Sequence, residues 1–149
     1  MTRDELFEVT QQKTDREIVA ATIWAEARGE GIVGMAAVAA VIQNRADGIY
    51  KRYGSTYRNV CLKPWQFSCW NIYKDGTKDP NLDLILRGPT GNRWHYAQAI
   101  TDLVFEKLMG DPTGGATHYH TPDVNPSWAS SPQMRFLRQI GNHKFYFEV

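Results

Sequence analysis

Two glutamates, Glu26 and Glu30, lie close together in the stretch IWAEARGEG, at the end of an otherwise apolar run. On a helix, Glu26 shares a face with aliphatic residues that should point inward. Burial raises the pKa of a carboxyl, and a raised pKa suits a general acid that protonates a glycosidic oxygen. The alternative is an ordinary helix-end charge paired with Arg28 or Arg45. The spacing alone leaves both interpretations open.

Three histidines form a second candidate group: His118, His120 and His143. On a strand, the first two project to the same side, which is a suitable geometry for two metal ligands. With His143 as a third ligand, the group could hold zinc in an amidase. The alternative is a set of ordinary hydrogen-bonded strand residues, because no third ligand stands at a diagnostic spacing. We therefore predict no metal and no cofactor.

Aromatic residues form a third candidate group, which comprises Trp65, Phe67, Trp70, Tyr73, Tyr119 and Trp128. Polar residues stand beside them, namely Gln66, Ser68, Asn71 and Thr117. Aromatic side chains fill cores in most proteins. Rings next to polar groups are also typical of a groove in which they stack on sugar faces. A wall-binding module without catalytic activity would have the same feature.

The elements that must position these residues can be read from periodicity. Thr14 and Glu17 form a capping box, which predicts a helix from there to about Arg28. The segment 32–45 is apolar all round and predicts a buried helix, and 93–109 has helical spacing. Strand-like residues dominate the last third of the chain. The predicted fold class is α+β, mainly α, with three helices and a small β region in the C-terminal third.

Length and charge set the limits of the interpretation. The 149 residues fit one domain, with residues 1–13 as a polar N-terminal extension and residues 14–147 as the folded unit. The net charge of +1 argues against a nucleic-acid binder. Five basic residues between Arg45 and Lys63 are either a solvated surface or a patch for an anionic polymer. Cys61 and Cys69 are expected to be buried free thiols.

Five blocks in order resemble one known family: AEARGEG, GMAAVAAVIQNR, KPWQFSCW, TGGATHYHTPDVNPSWA and IGNHKFYF. They are similar to the SleB-type cell wall hydrolase family, found in bacterial spore-cortex-lytic enzymes and in bacteriophage lysins. The resemblance extends from about Asp15 to Phe147. It implies a peptidoglycan-degrading enzyme with a lysozyme-like fold akin to that of lytic transglycosylases.

The resemblance also implies roles for particular residues. The first glutamate of the EARGE block, Glu26, is the family's catalytic acid, and Glu30 with Arg28 is a second acid or a structural ion pair. The THYH block is expected opposite Glu26. The full set expected to bind substrate is Gln66, Phe67, Ser68, Trp70, Thr117, His118, Tyr119, His120 and Trp128.

We therefore predict cleavage between N-acetylmuramic acid and N-acetylglucosamine. One acid suffices if the muramic acid's own C6 hydroxyl attacks, which favours a lytic transglycosylase, whereas attack by water would make a muramidase. The zinc-dependent amidase and the non-enzymatic wall-binding module stay open as alternatives.

The expected setting is host lysis by a bacteriophage endolysin. The start of the chain, MTRDELFEVTQQ, lacks a secretory signal, and no apolar run is long enough to span a membrane. We expect synthesis in the host cytoplasm, action on the wall after release, and a monomer without membrane insertion or nucleic-acid partner.

Overall fold

Six α-helices precede a three-stranded antiparallel sheet in the computed structural model, which describes residues 1–149. The helices are α1 (Arg3–Gln11), α2 (Asp15–Ala27), α3 (Gly31–Asp47), α4 (Tyr57–Leu62), α5 (Pro80–Arg87) and α6 (Asn92–Phe105). The strands are β1 (His118–His120), β2 (Met134–Ile140) and β3 (His143–Glu148). The predicted fold class, α+β and mainly α, is confirmed.

Helix α2 begins at the predicted capping box and ends just after Glu26. The Thr14 hydroxyl accepts a hydrogen bond from the Glu17 backbone N–H, and the Glu17 carboxylate accepts one from the Thr14 N–H. Most of α2 is buried, because the helix runs through the main hydrophobic core. A 3₁₀ turn, Arg28–Glu30, follows, and Gly31 takes a φ of 74° where α3 begins. A left-handed φ of this kind favours glycine.

Helix α3 is buried on two sides, as its continuous apolar sequence predicts. Met35, Val38 and Ile42 belong to the main core that the helices share. Ala37 and Val41 pack instead against Phe145 of β3. Helix α3 thus joins the helical part of the molecule to the sheet.

The sheet has the strand order β1-β3-β2. Tyr119 of β1 pairs with Phe145 of β3, so these two side chains lie on the same face of the sheet. Between Phe136 and Arg138 the register of β2 against β3 shifts by a bulge. One face therefore packs on α3, and the other carries His118, His120 and Tyr146.

The helix predicted over 93–109 ends earlier, at Phe105. Lys107 adopts a positive φ of 59°, its N–H bonds to the Val104 carbonyl, and the Leu108 N–H bonds to the Leu103 carbonyl. This pair of bonds is a Schellman motif, which closes a helix C-terminus. Leu108 is 72% exposed beyond it.

Three of the six helices, α1, α4 and α5, were not predicted from the sequence. Helix α1 forms within the expected polar extension and places Leu6 against the main core. Helices α4 and α5 flank the aromatic segment in the middle of the chain. Cys61 and Cys69 are free and buried, as expected. None of the helices combines the length and the apolar character that a membrane crossing requires.

Candidate active site

A cavity of about 730 Å³ opens between the helical part and the sheet. Both parts contribute to its lining, as does the connection before β2. It brings together six of the residues that the sequence predicted for a site: Glu26, Gln66, Ser68, His118, Tyr119 and Trp128. Segments distant in sequence thus converge on one cavity.

Glu26 is a half-buried carboxyl that stands next to one phenol. The Tyr119 hydroxyl donates a hydrogen bond of 2.6 Å to Glu26 Oε1. Burial raises the pKa of Glu26, and the negative charge of Asp79 acts in the same direction. The bond from Tyr119 and one from the Cys69 backbone lower that pKa and partly offset the effect of burial. The protonated form of Glu26 is therefore favoured, with a donor in place to stabilise the ionised form.

Tyr119 is held by the sheet face that packs on α3. Its ring lies 4.8 Å from the His143 ring and 5.6 Å from the Phe145 ring, measured between centroids. Burial and the neighbouring Glu26 raise the pKa of Tyr119 well above its usual value. Tyr119 thus stays protonated and acts as a donor to Glu26.

A closed ring of hydrogen bonds forms one wall of the cavity. The Glu148 N–H donates to Thr117 Oγ1 (3.0 Å), which lies 3.0 Å from His118 Nδ1. The Tyr53 hydroxyl lies 3.0 Å from His118 Nε2 and donates to Glu148 Oε2 at 3.2 Å. Every contact is satisfied if His118 carries its proton on Nε2 and accepts from Thr117 at Nδ1. Burial and nearby cations lower the pKa of His118 to about 4.

Two arginines also line the cavity. Arg52 forms an ion pair with Glu148. Arg45 of α3 is buried, and its Nε donates a 2.7 Å hydrogen bond to the Thr117 carbonyl. Its guanidinium lies over the rings of Tyr53 and Phe67. Arg45 pairs with neither Glu26 nor any other carboxylate, so the predicted alternative of a Glu26–Arg45 ion pair is wrong.

Trp65 stands at the rim of the cavity with an unusual backbone. Its φ is 68°, and its side chain is 56% exposed. The Tyr73 ring lies 6.4 Å away, and the guanidinium of Arg3 from α1 lies 5.2 Å from the Trp65 ring. A non-glycine residue at positive φ is strained, and such strain is concentrated at functional sites.

Two predicted substrate-binding residues are core residues instead. Phe67 is 1% exposed and packs in the main core. Trp70 is 6% exposed, and its indole N–H donates to the Thr22 hydroxyl of α2. Their rings are enclosed because the segment 67–70 packs against α2 and closes the core below the cavity. The prediction that Phe67 and Trp70 bind substrate is wrong.

Thr117 and His120 lie beside the cavity but do not line it. Thr117 belongs to the hydrogen-bonded ring and faces a neighbouring cavity of about 560 Å³. His120 contacts the Thr121 carbonyl and the Tyr146 hydroxyl, and its ring stacks on Tyr146. Both side chains are engaged by the sheet itself.

Glu30 and Arg28 do not form the expected ion pair, and Glu30 does not line the cavity. Glu30 Oε2 accepts a hydrogen bond from the Asn142 N–H in the β2–β3 turn. Arg28 Nη1 donates to the Ala25 carbonyl, and the guanidinium lies over the Trp24 ring. Glu30 therefore links the β2–β3 hairpin to the start of α3. Because Glu30 lies beyond the end of α2, its side chain points away from Glu26.

The zinc-site alternative requires three histidines that do not converge. His118 and His120 project from the same face of β1, as predicted. His143 lies on the opposite face with Phe145 and Tyr119, since β1 and β3 pair His118 with Tyr146 and Tyr119 with Phe145. No group of three metal-ligating side chains exists in the molecule. The alternative of a site made by these three histidines is wrong.

The basic stretch between Arg45 and Lys63 is largely tied to the chain itself. Arg58 binds Asp15 and the backbone carbonyls of Thr10 and Lys13. Lys51 donates to the Ala46 carbonyl. The stretch is therefore no continuous patch for an anionic polymer.

Several residues of the cavity were outside the predicted site. They are Arg45, Arg52, Tyr53, Trp65, Ser131, Gln133, Met134 and Glu148. Trp65 had a sequence signal as one ring of the aromatic group, and Arg45 and Arg52 belong to the basic stretch, with Arg45 also a possible partner of Glu26. The others come from segments whose meeting depends on the tertiary fold.

Comparison with known proteins identifies relatives over most of the chain. Residues 29–146 match the family model described as cell wall hydrolase. A spore cortex-lytic enzyme of Halalkalibacterium halodurans is 33% identical over 134 residues, which are 88% of this chain and 34% of that protein. A spore cortex-lytic enzyme of Oceanobacillus iheyensis is 30% identical over 141 residues, which are 89% of this chain and 41% of that protein. The chain thus spans less than half the length of these curated relatives.

The fold is also found in solved structures. The catalytic domain of the germination-specific lytic transglycosylase SleB from Bacillus anthracis superposes with a TM-score of 0.64 at 26% identity. The alignment covers 88% of this chain and 92% of that domain. The catalytic domain of Bacillus cereus SleB gives the same TM-score and identity. The predicted lysozyme-like, lytic-transglycosylase-like fold is confirmed.

Proposed function

Because the chain belongs to the cell wall hydrolase family, we propose that it degrades peptidoglycan by cleaving between N-acetylmuramic acid and N-acetylglucosamine. The observation that carries the proposal is the half-buried carboxyl of Glu26, hydrogen-bonded to Tyr119 in a cavity of about 730 Å³. The family model begins at residue 29, so the role of Glu26 rests on this geometry and on the EARGE block. The similarity to the SleB catalytic domain supports the transglycosylase route.

In the proposed reaction, Glu26 starts protonated because burial raises its pKa. Its proton passes to the glycosidic oxygen, the bond from that oxygen to C1 breaks, and an oxocarbenium-like sugar forms. The ionised carboxylate accepts the Tyr119 hydrogen bond. It then takes the proton of the C6 hydroxyl on the same muramic residue, whose oxygen attacks C1. The product has a 1,6-anhydro ring, and Glu26 regains its proton.

The state of the other carboxylate in the cavity favours this route over a muramidase. Ordinary glycosidases use a second carboxylate to activate water or to attack the sugar. Glu148 lines the same cavity, but Arg52 and Tyr53 bind its two oxygens. A carboxylate engaged in this way is a poor base, whereas the intramolecular route requires only Glu26.

The first test is Glu26→Gln with Glu30→Gln as the matched control. Glu26→Gln keeps the shape but removes the proton donor, so we expect activity on purified peptidoglycan to fall at least about a hundredfold. Glu30→Gln can still accept from the Asn142 N–H and should retain near-normal activity. Circular dichroism checks that both variants are folded. Normal activity of Glu26→Gln would contradict the assignment of Glu26 as the catalytic acid.

Product analysis by mass spectrometry separates the reaction types. Anhydro-muramic ends support the proposal, reducing muramic ends indicate a muramidase, and released peptides indicate an amidase. A protein that sediments with peptidoglycan but leaves its turbidity unchanged is a wall-binding module instead.

We propose that the setting is host lysis as a bacteriophage endolysin. The occurrence of related domains in phage lysins supports this, while the curated relatives are spore enzymes. Expression in a bacterial cytoplasm, followed by permeabilisation of the inner membrane, should cause rapid loss of culture turbidity. Glu26→Gln should cause none. Intact cells after permeabilisation of the strain with the active chain would count against this setting.

A further inference from the structure

Arg45 is a buried cation without an anionic partner. It is 6% exposed and is the only lysine or arginine among the buried residues. No carboxylate lies within ion-pair distance of it. Burying a charge without a counter-charge is strongly unfavourable, so such a group is expected to serve a ligand or a structural contact.

The structural contacts of Arg45 use only part of its guanidinium. Nε donates to the Thr117 carbonyl at 2.7 Å, and Nη1 makes a long contact of 3.4 Å with Gln66 Oε1. Nη2 donates to no atom of the chain, and it is not among the sealed polar atoms that lack a partner. Arg45 lines the cavity that contains Glu26 and also the neighbouring cavity of about 560 Å³. Gln66 lines only the first of these, so the Nη1 contact with Gln66 places that end of the guanidinium at the wall of the cavity where substrate would lie.

The charges around Arg45 favour an anion at this point. Glu148 is neutralised by Arg52, and burial favours the uncharged form of Glu26. The remaining lining contains no free carboxylate. A guanidinium with free N–H groups suits a carboxylate, to which it can donate two parallel hydrogen bonds.

We propose that Arg45 binds a substrate carboxylate carried on the lactyl arm of the muramic residue. This inference rests on the proposed function, because it requires a muramic residue in the cavity beside Glu26. The carboxylate is that of the lactyl group itself in peptide-free glycan, or one of the attached peptide. Arg45 thereby distinguishes muramic acid from N-acetylglucosamine, which lacks the arm.

Binding to the inactive Glu26→Gln protein tests the proposal without turnover. Two ligands are alternating tetrasaccharides, one with free lactyl carboxylates and one with those groups converted to amides. Two more are peptide-bearing tetrasaccharides, with the peptide carboxylates free or converted to amides. A tetramer of N-acetylglucosamine is the ligand without the lactyl arm. Calorimetry should give a Kd roughly tenfold lower for a carboxylate form than for the amide. A preference present only in the peptide-bearing ligand assigns the carboxylate to the peptide.

Substitution then locates the preference. Adding Arg45→Gln should abolish the preference for carboxylate over amide and leave the Kd of the N-acetylglucosamine tetramer unchanged, whereas a purely structural role would weaken all ligands alike. Arg28→Gln is the control, because it removes the same charge from a half-buried arginine outside the cavity. If Arg45→Gln does not fold, Arg45→Lys takes its place: lysine keeps the charge but not the paired N–H groups, so the preference for carboxylate should weaken. Equal affinity for carboxylate and amide in the unsubstituted site overturns the proposal in either case.

Three outcomes overturn the proposal: equal affinity for carboxylate and amide, a preference that survives Arg45→Gln, or equal weakening of all ligands. Absence of binding by any glycan overturns the proposed function as well. A preference that depends on Arg45, in a chain that does not cleave peptidoglycan, leaves this inference standing and overturns only the proposed reaction.

Discussion

At the scale of single residues, the protonation state of Glu26 depends on two opposing effects, its burial and its hydrogen bond from Tyr119. Burial favours the neutral carboxyl, and the phenol favours the carboxylate by donating to it. The proposed reaction needs both states in turn, first as acid and then as base. Neither residue would suffice alone, because a carboxyl without the donor would release its proton at too great a cost in free energy.

Tyr119→Phe should separate these two effects. Losing the donated hydrogen bond destabilises the carboxylate, so the pKa of Glu26 rises further above its usual value. Activity that requires protonated Glu26 is lost as pH rises through that pKa. The alkaline limb of the pH profile of kcat/KM should therefore move to higher pH, while the maximum rate falls roughly tenfold or more. An unshifted alkaline limb would contradict the assignment of Tyr119 as the donor that controls Glu26.

At the scale of elements, the hydrogen-bonded ring around His118 fastens three segments together. Tyr53 comes from the 3₁₀ turn Lys51–Tyr53, His118 from β1 and Glu148 from β3. Burial and the nearby guanidinium groups of Arg45 and Arg52 favour the neutral form of His118. Protonation of His118 therefore places a positive charge in a buried wall beside two other cations.

The burial of His118 beside two arginines predicts a loss of stability in mild acid. The pKa of His118 falls from 6.5 to about 4 on folding, so the unfolded chain binds more protons between these values. The free energy of unfolding should fall as pH drops from about 6.5 towards 4, by at most about 3 kcal/mol from this group. Urea titrations across that range should show a flatter slope for His118→Gln. His143, whose pKa burial also lowers, contributes a slope of the same sign in both proteins. Equal slopes would exclude His118 as the source.

Trp65 illustrates how a loop element supports a site at some expense in stability. Its φ of 68° is unfavourable for any residue with a Cβ atom, while its exposed ring stands at the cavity rim. Alanine keeps the backbone strain at this position, whereas glycine relieves it. Urea titrations should therefore give Trp65→Gly a free energy of unfolding about 1 kcal/mol higher than that of Trp65→Ala. Both should bind the alternating tetrasaccharide roughly threefold to tenfold more weakly, since both lose the ring. Equal stability of the two variants would contradict the strain, and unchanged affinity would contradict the stacking role.

The elements differ in how far the sequence determines them. Helices α2 and α3 were predictable because a capping box and long apolar runs signal them directly. Helix α5 lies outside the predicted set although it has a sequence signal, with Asp79 as N-cap and Pro80 at the first helical position. Strand β2 was hidden because its bulge between Phe136 and Arg138 breaks the alternation that marks a strand.

The candidate site was predictable only where chemistry and local pattern coincide. Glu26 was predictable as a carboxyl on an apolar helix face, and Tyr119 lies in a block that was expected opposite Glu26. Tyr53 and Glu148 carry no such signal, and Arg45 was indicated only as an ion-pair partner of Glu26. Their place in the site comes from the meeting of α3, a 3₁₀ turn and β3 in space. Phe67 failed as a groove residue because composition does not tell which aromatic rings face inward.

At the scale of the whole molecule, α3 connects two packed units whose junction is the cavity. The main core belongs to the helices, and a smaller cluster of Ala37, Val41, Ala116 and Phe145 holds the sheet against α3. The acid comes from the first unit and its phenol partner from the second. The distance between Glu26 and Tyr119 therefore depends on how tightly the smaller cluster is packed.

Phe145→Leu should reveal this dependence. Phe145 is fully buried and packs on Tyr119, so a smaller side chain leaves a cavity and destabilises the protein by about 1–2 kcal/mol. The loosened sheet should also displace Tyr119 from Glu26 and lower kcat at least about tenfold at a temperature where the protein stays folded. Ile18→Val is the control, since Ile18 is fully buried in the main core and its truncation costs about 1 kcal/mol. Because Ile18 belongs to the main core and neither lines the cavity nor belongs to the smaller cluster, its variant should keep near-normal kcat. Urea titrations measure the stability of both variants. If both then lose kcat equally, the packing of the sheet does not set the geometry of Glu26.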